Sequence, residues 1–130
     1  MIEKKTDSKG LLIVAHQNGL IHIEDMINAM NYLIAATDLP EQLRILEVSN
    51  DVEVTFSVAS IDILAGVCKE AIKKYKNIQH AVVLNSPVNT VLALLMSHKK
   101  LPKEYQLQVF STRAAALLWL QSDLKMPVVK

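Results

Sequence analysis

The residues that could do chemistry in this chain are few and far apart. Four histidines, His16, His22, His80 and His98, fall in four separate stretches. No two stand four residues apart, the spacing that puts a zinc-binding pair on one helix face, and no Cys-x-x-Cys accompanies them. Each reads as a polar residue at a strand end or a helix terminus, and no metal is expected. The single cysteine, Cys68, lies inside an apolar helical stripe. A thiol there behaves as a small hydrophobe, whereas a nucleophile needs an electropositive, partly exposed setting. Glu24 and Asp25 are adjacent carboxylates, yet neighbours on a helix point about 100° apart. They suit a first turn, where the helix dipole favours negative charge, better than paired acid–base work.

Phosphate chemistry is equally short of parts. Gly10, Gly19 and Gly66 are the only glycines. There is no Gly-x-Gly-x-x-Gly after the first strand, no phosphate loop and no Gly-x-Ser-x-Gly elbow. What remains is a group of hydroxyls, Thr55, Ser57 and Ser60, between a strand and the helix after it. Open α/β sheets place their sites at that end of their strands, although Ser57 or Ser60 could equally serve as a helix cap. The chemistry-bearing residues point away from an enzyme, and no cofactor is expected.

Positioning these residues requires a regular frame, and the apolar pattern supplies one. Short apolar runs at Ile45–Val48, Ala81–Leu84 and Leu107–Phe110 alternate with helical stripes at Ser60–Tyr75, Pro87–His98 and Thr112–Gln121. Such alternation predicts βαβ units on a mixed, largely parallel sheet, an α/β fold. Parallel neighbours need crossover helices, and the chain has one to offer between each pair. Ahead of these, Leu11–Ala15 and Leu20–Ile23 flank Asn18-Gly19, a tight-turn dipeptide, and predict an opening β-hairpin. A first helix follows with Met26, Ile27, Met30, Leu33 and Ile34 on one stripe, and Leu39-Pro40 closes it. Residues 50–56 are the least regular stretch. Ser86 caps the helix begun by Pro87, and Ser111 caps the last one. The expected organisation is a flexible N-terminus over residues 1–10, one domain over 11–122 and a loose tail over 123–130.

The composition narrows the class. With 130 residues the chain makes one domain, and 51% hydrophobic but only 5% aromatic residues leave Leu, Ile, Val and Ala to fill the core. A mean hydropathy of +0.23 leaves apolar surface for a partner. A net charge of +1 lacks the concentrated basic footprint of a nucleic-acid binder. The lysines at 69, 73, 74 and 76, and at 99, 100 and 103, read as solvated faces. A lone cysteine fits a reducing compartment, and neither a secretory signal nor an apolar run of about 18 residues is seen, so a cytoplasmic location is expected.

Three stretches add a resemblance. Gly19-Leu20-Ile21-His22-Ile23-Glu24-Asp25, Ala81-Val82-Val83-Leu84-Asn85-Ser86-Pro87 and Val109-Phe110-Ser111-Thr112-Arg113-Ala114-Ala115-Ala116-Leu117-Leu118-Trp119-Leu120 resemble the SpoIIAA-like branch of the STAS (anti-sigma-factor antagonist) domain family. The likeness spans roughly Leu11 to Gln121. It implies a STAS-like sandwich that is not an enzyme and binds a partner kinase. It also implies a switch, by phosphorylation of a serine in an Asp-Ser-Ser-Gly-like turn before the second helix. Here that stretch reads Phe56-Ser57-Val58-Ala59-Ser60-Ile61, without the aspartate or glycine, and Ser60, then Ser57, are the candidate phosphoacceptors. For the divergent branch, likeness to Sec14-like lipid carriers implies an alternative: an apolar ligand or a membrane surface.

The last two helices carry more apolar residues than one buried stripe needs. Leu94, Met96, Trp119 and Leu120 are therefore the candidate partner surface, and a homodimer is its simplest occupant. The expectation is a regulatory domain acting through protein contact, with the apolar ligand as its alternative.

Overall fold

The computed structural model describes residues 2–54, 58–84 and 101–121. Along them run β1 (Ile2–Asp7), β2 (Gly10–Ile21), α1 (Ile23–Ala35), β3 (Gln42–Val54), α2 (Val58–Ile72), β4 (Asn77–Leu84), β5 (Tyr105–Phe110) and α3 (Arg113–Leu120). The strands form one sheet in chain order, β1-β2-β3-β4-β5. β1 runs antiparallel to β2, and every later neighbour pairs in parallel. The parallel set expected from Ile45, Ala81 and Leu107 is present, with β4 buried almost throughout.

The opening hairpin lies elsewhere than expected. Residues 2–7, assigned above to a flexible lead, form the edge strand, and the turn is at Ser8-Lys9. The Asp7 carboxylate accepts from the Lys9 backbone N–H at 2.8 Å, and Gly10 takes a φ of 111° that a side chain would resist. Among the described residues β1 pairs on one side only, and Glu3, Lys4 and Lys5 stand there in place of the apolar alternation of a buried strand. Those charges also protect the edge from stray pairing. Asn18-Gly19 is not a turn but a register shift within β2, with Gly19 at φ 78°. The chain can therefore continue along β3, whose strand extends through Val54 into the stretch that looked irregular.

Alternation along the strands divides the core into two faces. Ile13, Leu43, Ile45, Ile78 and Tyr105 face Met30 and Leu33 of α1 and Cys68 and Ala71 of α2, with Tyr75 just beyond that helix. On the reverse face Leu12, Val14, Leu46, Val48, Ala81 and Val83 pack against Ala116 and Leu120 of α3. The α1 and α2 crossovers step the same way across the sheet, and right-handed connection then puts both helices on one side.

Side chains finish the helix ends, and several of them come from other elements. At the start of α1, the Asp25 carboxylate accepts from the His22 backbone N–H at 2.8 Å. At its end, Lys74 Nζ donates to the Ile34 carbonyl at 2.6 Å and to that of Ala36, and the Tyr75 hydroxyl donates to Leu33. One lysine of the supposed solvated face is thus a helix cap. α3 is capped by Thr112 instead of Ser111, its Oγ1 accepting from the Ala115 N–H at 3.2 Å. At the other end of α3, Gln79 Nε2 donates to Trp119 O at 2.8 Å and Arg44 Nη1 to Leu120 O at 3.3 Å.

Candidate functional site

The unexpected chemistry lies in the interior. Glu47 follows Ile45 by two residues on β3, and His80 follows Ile78 by two on β4, so both point beneath α1 and α2. Tyr105 of β5 joins them. Glu47 Oε1 lies 2.9 Å from His80 Nε2, and His80 Nδ1 lies 2.8 Å from the Tyr105 hydroxyl. The imidazole and phenol meet edge-on at 66°. Met30 Sδ from α1 is 3.9 Å from the same hydroxyl, within reach as a weak acceptor. Glu47 is 7% exposed, His80 8% and Tyr105 4%.

Burial pushes the Cys68 thiol of α2 up to about 11, although a hydrogen bond with Tyr105 opposes the shift, so at neutral pH it is a protonated thiol and a poor nucleophile. Burial likewise holds the Tyr105 phenol well above its ordinary range, and the neighbouring Cys68 and Glu47 add to the effect. Both imidazole nitrogens are engaged, and Glu47, His80 and Tyr105 are all buried.

A second polar knot ties the reverse face. Arg44 donates from Nη1 and Nη2 to both Asp7 oxygens, at 3.0 and 2.6 Å, and from Nη2 to the carbonyls of Gly10 and Leu11 at 3.1 and 3.2 Å. The hydrogen bond from Arg44 holds the Asp7 carboxyl below its usual range. Near the α1 end of the molecule, Lys4 and Asp38 pair at 2.8 Å, which lowers Asp38 and raises Lys4.

The residues singled out from sequence scatter over this frame. Ser60 lies in the first turn of α2, at the carboxyl end of β3, and that turn contains no acidic residue. Ser57, Leu94 and Met96 lie outside the described residues, as do His98 and the 123–130 tail. Trp119 is half-buried, its ring 5.6 Å from that of Phe110. Leu120 does not belong to a partner surface: it is 1% exposed and packs with Ala116 against the sheet. The pair is spaced i, i+4, and small Ala116 lets the helix approach closely, so this stripe wins the core. Leu118, 72% exposed, carries the outward apolar character of α3 instead.

His16 sits in β2, 3.4 Å from Glu3, and His22 directly precedes α1. His80 is not at a strand end but inside β4. Among the described residues no group of three or more His, Cys, Asp or Glu could hold a metal ion. None of their helices is long and apolar enough to cross a membrane. The interior site left one trace in the sequence. Glu47 between Leu46 and Val48, and His80 beside Ala81, are polar breaks in strands that should be apolar on both faces.

The chain has a SpoIIAA-like fold. It is similar in structure to an uncharacterised protein of the DUF3478 family with a SpoIIAA-like fold from Shewanella loihica PV-4, with a TM-score of 0.60, 92% of each chain covered and 16% sequence identity. No family model matches the chain, and no curated protein does.

Proposed function

We propose that this protein is a non-catalytic regulatory domain that acts by binding another protein, with Ser60 as its phosphoacceptor. The observation that carries the reading is the fate of the reactive side chains. Glu47, His80, Tyr105 and Cys68 are all sealed beneath α1 and α2 and bonded to one another. Among the described residues the large apolar side chains left exposed are Ile2, Tyr32, Ile63 and Leu118. Ser60 supports the switch by its position. A phosphate there would meet the free amides and positive dipole end of α2, and the first turn presents no carboxylate to repel it. In α1 the corresponding turn is already occupied by Glu24 and Asp25.

Mass spectrometry of the protein purified from its own cells tests the reading, together with affinity capture using wild-type, Ser60→Ala and Ser60→Asp forms. Phosphate on Ser60, and a partner retained by Ser60→Ala but released by Ser60→Asp, are expected. An unmodified serine with identical capture by all three forms refutes the switch. Liposome flotation that is indifferent to Ser60 substitution would support the apolar-ligand alternative instead.

A further inference from the structure

We infer that Asn18-Gly19 is a self-modification site in β2, at which the native protein converts Asn18 into isoaspartate. Asn18 is the only asparagine of the chain that precedes a glycine. Asparagine is a thermolabile residue, because the backbone nitrogen that follows it can attack its side-chain carbonyl carbon. A glycine in the next position puts no Cβ in the way of that attack.

The structure leaves the pair open to the reaction. Asn18 and Gly19 are both exposed. β1 follows β2 only as far as Ala15, so among the described residues the pair has a neighbouring strand on the β3 side alone. There the ladder is interrupted. Asn18 stands opposite Asn50 and Gly19 opposite Val52, so Asp51 of β3 is passed over. Gly19 itself takes a φ of 78°, and a Cβ added to it would meet nothing within 4 Å.

The chemistry needs only water. The Gly19 nitrogen bonds to Asn18 Cγ, the Cγ–Nδ2 bond breaks, and Nδ2 leaves as ammonia with the proton from the Gly19 amide. One water then opens the cyclic imide and returns a proton to the Gly19 nitrogen. Attack at Cγ gives aspartate. Attack at the main-chain carbonyl carbon of residue 18 gives isoaspartate, in which the backbone runs through Cγ and is one carbon longer. That extra carbon falls where β3 is already one residue longer than β2. The pairs on either side, Gln17 with Ser49 and Leu20 with Glu53, can therefore keep their register. Either product adds one carboxylate and cancels the formal net charge of +1, which weakens the charge repulsion that keeps copies apart. The site is independent of Ser60.

Warm incubation of the full chain in mildly alkaline buffer tests the inference, read by isoelectric focusing and by peptide mass spectrometry with electron-transfer fragmentation, which separates isoaspartate from aspartate. The native protein is expected to lose one unit of positive charge, with the change mapped to Asn18, isoaspartate as the main product and the fold retained by amide exchange. Asn18→Gln, whose longer side chain cyclises far more slowly, should keep its charge. The inference is overturned if native Asn18 stays intact, including where it converts only in urea, or if aspartate is the sole product. It is equally overturned if Asn18→Gln loses charge as fast as wild type. Should Asn18→Gln fail to fold, the peptide map of the wild-type protein decides by itself.

Discussion

Arg44 shows what a single residue contributes here. Its guanidinium is nearly buried, yet it joins the first hairpin to the last carbonyl of α3. Removing its counter-charge should cost more than breaking a surface pair. Asp7→Asn is expected to lose about 2–3 kcal/mol at neutral pH in urea unfolding, between the exposed and buried extremes. The pH dependence has a definite sign. Because Arg44 depresses the Asp7 carboxyl from 3.8, its contribution is complete above that value and is lost as pH falls through the lower folded-state value. Asp7→Asn should therefore also flatten the acid-side decline below about pH 4. For Cys68, burial predicts silence: a disulfide thiol reagent should leave the native protein unmodified and react with one thiol per chain once urea unfolds it. Rapid native labelling would contradict the packing of α2. The polar core was legible only as two misplaced residues. Sequence shows that Glu47 and His80 interrupt apolar strands, but nothing in their separation along the chain shows that β3 and β4 bring them within a hydrogen bond.

At the scale of elements, helix ends are finished by side chains from elsewhere. The last carbonyls of α1 depend on Lys74 and Tyr75, which follow α2, and those of α3 on Gln79 and Arg44 from the sheet. Tyr75→Phe should cost about 1 kcal/mol, and amide exchange should quicken selectively in the last turn of α1. The two sides of α3 should respond oppositely. Leu118→Glu should stay within about 0.5 kcal/mol of wild type, whereas Leu120→Ala should lose about 2–5 kcal/mol, both by urea unfolding. The alternation of strands and helices was plain because buried parallel strands are written as apolar runs. The hairpin was misplaced because Asn-Gly permits positive φ without dictating a turn, and because an edge strand such as β1 carries almost no apolar signal. The direction of α3 was ambiguous because eight residues rich in Ala and Leu offer several apolar stripes, and only the sheet beneath selects one.

Across the whole molecule, strand order equals chain order, so each parallel strand is added beside its predecessor. The reverse face of the sheet has a different history. Leu12, Val14, Leu46, Val48, Ala81 and Val83 are contributed by three successive strands, but in the described structure their helical cover, Ala116 and Leu120, comes from the final element. A ribosome-bound chain that has emerged only as far as Phe110 would hold all five strands and still lack α3. Among the described residues nothing helical then covers this plane, which lies next to neutral β5, and exposed apolar surface at an unguarded strand is what chaperones recognise and what aggregates grow from. Translation that pauses or terminates before Ala116 should therefore yield a product that is caught by chaperones or precipitates, whereas a chain that includes Leu120 should not.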